Sequence, residues 1–118
     1  MASRNPRRSS PTDEIITRGS GNLFADLGYP DADERQTRLR LAYAINAAIA
    51  SKRLSQSEAA ARLGVSQPKV SALARYKLEG FSVERLMTFL TALDRDVEIT
   101  IRKKPRSRKA GRILVAAA

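Results

Sequence analysis

A chain of 118 residues has room for one domain with short arms, and 22 Lys and Arg against 12 Asp and Glu give it a formal charge of +10. Neither Cys nor His occurs, which excludes a structural Cys/His zinc site, thiol catalysis and histidine acid–base chemistry; no cofactor is expected, and the missing Cys fits a reducing compartment. No apolar run is long enough to span a membrane, and MASRNPRRSS is not followed by an apolar signal core, so a cytoplasmic protein with no membrane partner is expected.

Residues 1–20 mix Arg, Ser, Pro, Asn and Gly around the single apolar pair Ile15 and Ile16, a composition that buries too little to offset its ordering entropy; they read as a flexible arm. Asn22 to Gly28 reads as one or two helical turns, clamped to the body by Leu23, Phe24 and Leu27. Asp31 and Asp33 are N-cap candidates for a long helix reaching about Lys52. In it Leu39, Ala42, Ile45, Ala48 and Ile49 keep helical spacing, and Leu41 widens the stripe.

Ser55 to Arg75 reads as two short helices around a tight turn. Ser55 and Glu58 form a capping box for a helix starting at Gln56, whose apolar face is Ala59, Ala60 and Leu63. Gly64 stops it, because the next residue needs φ > 0. Val65 plugs the inside of the turn, and Ser66 caps a second helix with Gln67 and Pro68 in its first turn. Val70, Leu73 and Ala74 fall on the inner side; Pro68, Ala72 and Arg75 fall outside, with Lys69 and Ser71 on the flanks. A helix pair that projects the start of its second helix fits the DNA major groove.

Gln56, Ala60, Gly64, Val65, Val70, Ser71 and Leu73 match the helix-turn-helix of phage-repressor, or XRE-type, regulators. The wider runs GNLFADLG and QSEAAARLGVSQPKVSALARYKLEGFSVERLMTFLTALDRDVEITIR resemble the HigA-like antitoxins of that group. The resemblance implies a lambda-repressor-like fold, and it makes Tyr76, Lys77 and the loop around Leu78 candidates for phosphate contact. It also implies a second partner, a small ribonuclease-type toxin held inactive while the pair represses its own operon.

Farther along, Gly80 ends a connection and Ser82 caps a helix in which Val83, Leu86, Met87, Leu90 and Leu93 complete the apolar centre. Asp94-Arg95-Asp96 breaks that helix and the period changes to two: Val97, Ile99 and Ile101 alternate with Glu98, Thr100 and Arg102. A lone strand over 96–102 has an unpaired edge, best met by the same strand of a second copy across a two-fold axis. A hairpin with the N-terminal arm competes, weakened by that arm's poor strand content. From Arg102 to Arg112 seven basic residues are interrupted by Pro105 and Gly111, and 103–118 reads as a disordered tail drawn to phosphates.

The expectation is therefore an all-α domain over 21–102, a bundle of about five short helices with one C-terminal strand paired in a homodimer. Residues 39–81 carry seven basic and two acidic groups and 102–118 seven and none, a footprint that points to double-stranded DNA. Gln67, Pro68, Lys69, Ser71, Ala72 and Arg75 are the candidate base-reading residues of an inverted-repeat operator, and Gln56, Ser66, Tyr76 and Lys77 the candidate phosphate contacts. The acidic stretches 21–38 and 82–101 are candidates for meeting a basic toxin. A stand-alone repressor without a toxin, and a non-specific nucleic-acid or nucleoid-coating protein, stay open. An enzyme is the weakest option, since Ser66 and Ser71 have no His to activate them and no phosphate-cradling Gly loop appears.

Overall fold

A computed structural model describes residues 32–116. The arm at 1–20, the helical turn near 22–28 and the Asp31 cap fall outside the described residues. Within them are four helices: α1 (Ala32–Ser51), α2 (Gln56–Leu63), α3 (Gln67–Ala74) and α4 (Val83–Ala92). α1 opens with Asp33 and Glu34, where the helix dipole favours negative charge, and Glu34 pairs with Arg38 one turn on at 2.7 Å. Leu39, Leu41, Ala42, Ile45 and Ala48 are buried along it as their spacing predicts. Gln36 and Thr37 are buried too, which their polar type does not announce.

α1 and α4 form the most extensive helix pair, and α2 with α3 the next; α3 also rests on α1. The main core joins Leu41, Ala42, Ile45 and Ala48 of α1 to Leu63, Leu73, Leu78, Phe81, Leu86, Phe89, Leu90 and Leu93. Phe81 and Phe89 meet edge to face with ring centres 6.0 Å apart, a preferred aromatic geometry that the apolar spacing of α4 did not bring out. Val83 and Met87, expected at the centre, are only half-buried at its margin. A smaller cluster of Ala59, Ala60 and Val70 fills the angle between α2 and α3. Ile49, Leu54 and Val65 touch both clusters, so the turn residue Val65 packs inward.

Each of the four helices is followed within two residues by one in the left-handed region: Arg53 at φ 57°, Gly64 at 71°, Tyr76 at 58° and Asp94 at 63°. In each case the next N–H reaches back to a carbonyl in the last turn, as in Leu54 to Ile49, Val65 to Ala60, Lys77 to Ala72 and Arg95 to Leu90, at 2.9–3.1 Å. Those bonds satisfy carbonyls that would otherwise be left open.

Beyond α4 there is no strand among the described residues. The strand expected over 96–102 is therefore not formed within the described part of a single chain. Val97 is half-buried against the core, but Ile99 and Ile101 are 74 % and 92 % exposed. A strand is defined by its ladder, and the described part of one chain offers these residues no ladder partner. Residues 103–116 have neither helix nor strand, yet Val115 packs on the core and its carbonyl accepts a hydrogen bond from Arg40 Nη1 at 3.0 Å. Burial, and after it the charge of Arg112, lowers the pKa of the Arg40 guanidinium. Among the described residues no helix is long and apolar enough to cross a membrane.

Candidate nucleic-acid interface

The capping box that opens α2 is closed in both directions. The Glu58 N–H donates to Ser55 Oγ at 3.0 Å, and the Ser55 N–H donates to Glu58 Oε1 at 2.8 Å. This holds Gln56 as the first, exposed residue of α2. Gly64 then turns the chain with open space around its Cα, so its value lies in backbone conformation and not in clearance. Ser66 takes the N-cap conformation of α3, but its side chain makes no capping hydrogen bond. Here the sequence reading is corrected: Pro68 removes one of the first-turn N–H groups that a cap would serve, and Ser66 stays exposed.

α3 is gripped from behind. Val70 and Leu73 are buried, and Asn46 Nδ2 of α1 donates to the Leu73 carbonyl at 3.0 Å. The sequence carries no signal for the Asn46 bond, because a polar residue within a helix gives no sign of which neighbour it meets. Ala74, expected on the inner side, is exposed, whereas Ala72 is half-buried against the core. With only eight residues, small errors in the phase of α3 move its edge positions between faces.

Of the candidate base-reading residues, Gln67, Pro68 and Arg75 are exposed and Lys69, Ser71 and Ala72 half-buried. Lys69 is occupied within the protein: its ammonium lies 5.0 Å from the centre of the Phe81 ring, a cation–π contact. It also passes Gly80 so closely that a Cβ there would stand 3.3 Å from Nζ. Arg75 lies back along its own helix, Nε donating a long 3.4 Å hydrogen bond to the Ser71 carbonyl. Lys77 is exposed, and Tyr76 is half-buried against the core in its left-handed conformation. Ser66, Pro68, Lys69, Ala72 and Lys77 come together around a shallow open cleft of about 400 Å³. Glu79 and Gly80, from the loop around Leu78, line it too, together with Phe81, which carries no sequence signal for the site. Gln56, Gln67, Ser71, Tyr76 and Arg75 stand outside that cleft.

Two ion pairs brace this half of the molecule. Asp94, just past α4, accepts from Lys52 at the end of α1 at 2.6 Å and from Arg62 in the last turn of α2 at 3.0 Å. The Lys52 hydrogen bond and then its charge hold the Asp94 carboxyl below its ordinary pKa, against an opposing desolvation, with Arg62 and Arg95 adding to the lowering. No group of acidic side chains among the described residues is arranged to hold a metal ion.

The model of a family described as a helix-turn-helix domain matches residues 23–102, more than half of the chain. A solved structure named as an XRE-family transcriptional regulator shares 76 % identity with this chain, covering 75 % of it and 100 % of the solved chain, with a TM-score of 0.71. No curated protein matches. Neither comparison involves an enzyme, and with this match length and identity the chain belongs to the XRE-type helix-turn-helix family of DNA-binding regulators.

Proposed function

We propose that this chain is a sequence-specific transcriptional repressor that binds an inverted-repeat operator as a homodimer, in the cytoplasm. Two copies of α3 would enter successive major grooves about 34 Å apart. The observation that carries this reading is that α3 is fixed from its inner side by Leu73 and Asn46 while Gln67, Pro68 and Arg75 stay exposed. Gln67 bonds adenine at N6 and N7; Arg75 or Lys69 reaches guanine O6 and N7, leaving its internal contact; Ser71 bonds a base edge; Pro68 and Ala72 meet thymine methyls. Gln56, Ser66, Tyr76 and Lys77 hold phosphates, helped at Gln56 by the positive end of α2. The domain spans 21–102, with residues 1–20 and 103–118 as basic arms and Val97, Ile99 and Ile101 as the dimer strand.

Selection of bound sequences from a random DNA library tests this directly, with enrichment of a symmetric site expected. In a mobility-shift series Gln67→Ala should lose about 1–3 kcal/mol on the selected site and relax preference at one base pair. Unaltered preference in that variant rules out the assigned reading face. Equal binding to random DNA points instead to the nucleoid-coating alternative.

The resemblance of 56–102 to HigA-like antitoxins supports a further role, neutralising a small basic toxin while repressing their shared operon. The acidic residues of 21–38 and 82–101 are the surface for it. Co-expression of the adjacent reading frame with and without this chain tests that role: toxicity relieved by the chain supports it, and a harmless neighbour leaves a stand-alone repressor.

A further inference from the structure

Residues 96–104, DVEITIRKK, take part in no backbone–backbone hydrogen bond among the described residues. Extended backbone alternates its side chains between two faces. Paired as a strand, the segment would carry Val97, Ile99 and Ile101 on one face and Asp96, Glu98, Thr100, Arg102 and Lys104 on the other. The apolar face leaves the body after Val97, and Ile99 and Ile101 are exposed. The polar face is acidic at its start and basic at its end. Asp96, Glu98 and Arg102 form no ion pair among the described residues. An open edge beside exposed Ile invites another strand.

The charge gradient identifies that strand. A parallel copy would set acid beside acid. A copy turned by a two-fold axis presents the same gradient reversed, so each acid meets a base. We propose that residues 96–104 of two copies pair antiparallel with Thr100 on the axis, Glu98 facing the partner's Arg102 and Asp96 facing the partner's Lys104. Ile99 then meets the partner's Ile101 across the other face. The neighbouring register, with Ile99 on the axis, leaves Glu98 opposite a Thr. It also points Lys104 at Asp94, whose carboxylate already holds Lys52 and Arg62. Pro105, which has no N–H to give a ladder, lies one residue outside the paired stretch in the proposed register. This deepens the dimer reading above and rests on it. It also divides the basic tail: Arg102 and Lys104 serve the dimer, while Arg106, Arg108, Lys109 and Arg112 are left for nucleic acid.

The test uses the full chain without DNA. Wild type should sediment as a dimer at micromolar concentration. Glu98→Arg and Arg102→Glu should each weaken dimerisation about tenfold or more, since two attractive cross-strand pairs become repulsive. The double variant Glu98→Arg/Arg102→Glu should recover it. The chain has no Cys, so single cysteines report register: directly opposed residues are close enough for a disulfide. Thr100→Cys should oxidise to a linked dimer and Ile99→Cys should not. A monomeric wild type, a double variant no better than the single ones, or preferential linkage through Ile99→Cys overturns the proposal. Because no DNA is present, a failed operator selection leaves these outcomes readable, and the reverse also holds.

Discussion

Ser55 and Ser66 occupy the same position at the head of two successive helices, yet only one hydroxyl is engaged in holding its helix. Ser55 completes a two-way capping box, while Ser66 makes no capping bond and stays exposed beside Lys69 and Lys77 at the cleft. Ser55→Ala should therefore cost about 0.5–2 kcal/mol in urea unfolding with little change in DNA preference. Ser66→Ala should leave stability within about 0.5 kcal/mol and weaken binding to DNA of any sequence, as befits a phosphate contact. Equal destabilisation by both would mean that the Ser66 hydroxyl serves the fold. The sequence places both serines at helix starts but does not separate their roles, because Pro68 alters which N–H groups need a partner. Gly64 is legible as a left-handed helix end; Arg53, Tyr76 and Asp94 take the same conformation without a local signal. Their conformation is imposed by the backbone bonds that close each helix end, and Tyr76 also by its packing against the core.

The four helices of the described region are legible because their apolar residues recur at helical spacing, three of their starts carry Ser and the stop of α2 carries Gly. What the period cannot give is the third dimension of each contact. Asn46 reaches the Leu73 carbonyl, and Lys69 covers Phe81, across 27 and 12 residues of intervening numbering. The segment 96–102 shows the limit most clearly: alternation marks a strand-forming sequence, but a strand exists only with a partner. The Asp94 brace is likewise invisible locally, since its partners lie 42 and 32 residues away, just past α1 and in α2. Its pKa is depressed in the folded state, chiefly by Lys52. The stability it contributes is thus present above the ordinary Asp value near 3.9 and is lost as pH falls through the lower folded value. The urea midpoint of wild type should exceed that of Asp94→Asn at neutral pH, and the two should converge in strong acid. A gap that persists there would show that Asp94 acts through its left-handed backbone or its shape and not through charge.

Across the whole molecule, basic charge is concentrated on the region of α2 and α3 and on the tail, with acidic excess between them over 82–101. The tail is not independent of the body, because Val115 rests on the core and its carbonyl is held by Arg40. Arg106, Arg108 and Lys109 lie between that contact and the end of the segment assigned to the dimer, in a stretch without regular structure. Such a loop is expected to carry charge to phosphates without reading bases. Replacing all three by Gln should weaken selected and random DNA by the same factor. The slope of log affinity against log salt should become shallower by about 0.9 for each phosphate contact removed. Gln67→Ala should do the opposite, leaving the slope nearly unchanged while narrowing the gap between selected and random DNA. Measured as a two-by-two set of variants and sequences over a salt series, these responses separate the reading helix from the basic loop. If the triple Gln variant changes sequence preference and leaves the slope alone, the loop reaches into a groove and the division of labour between α3 and the tail is wrong.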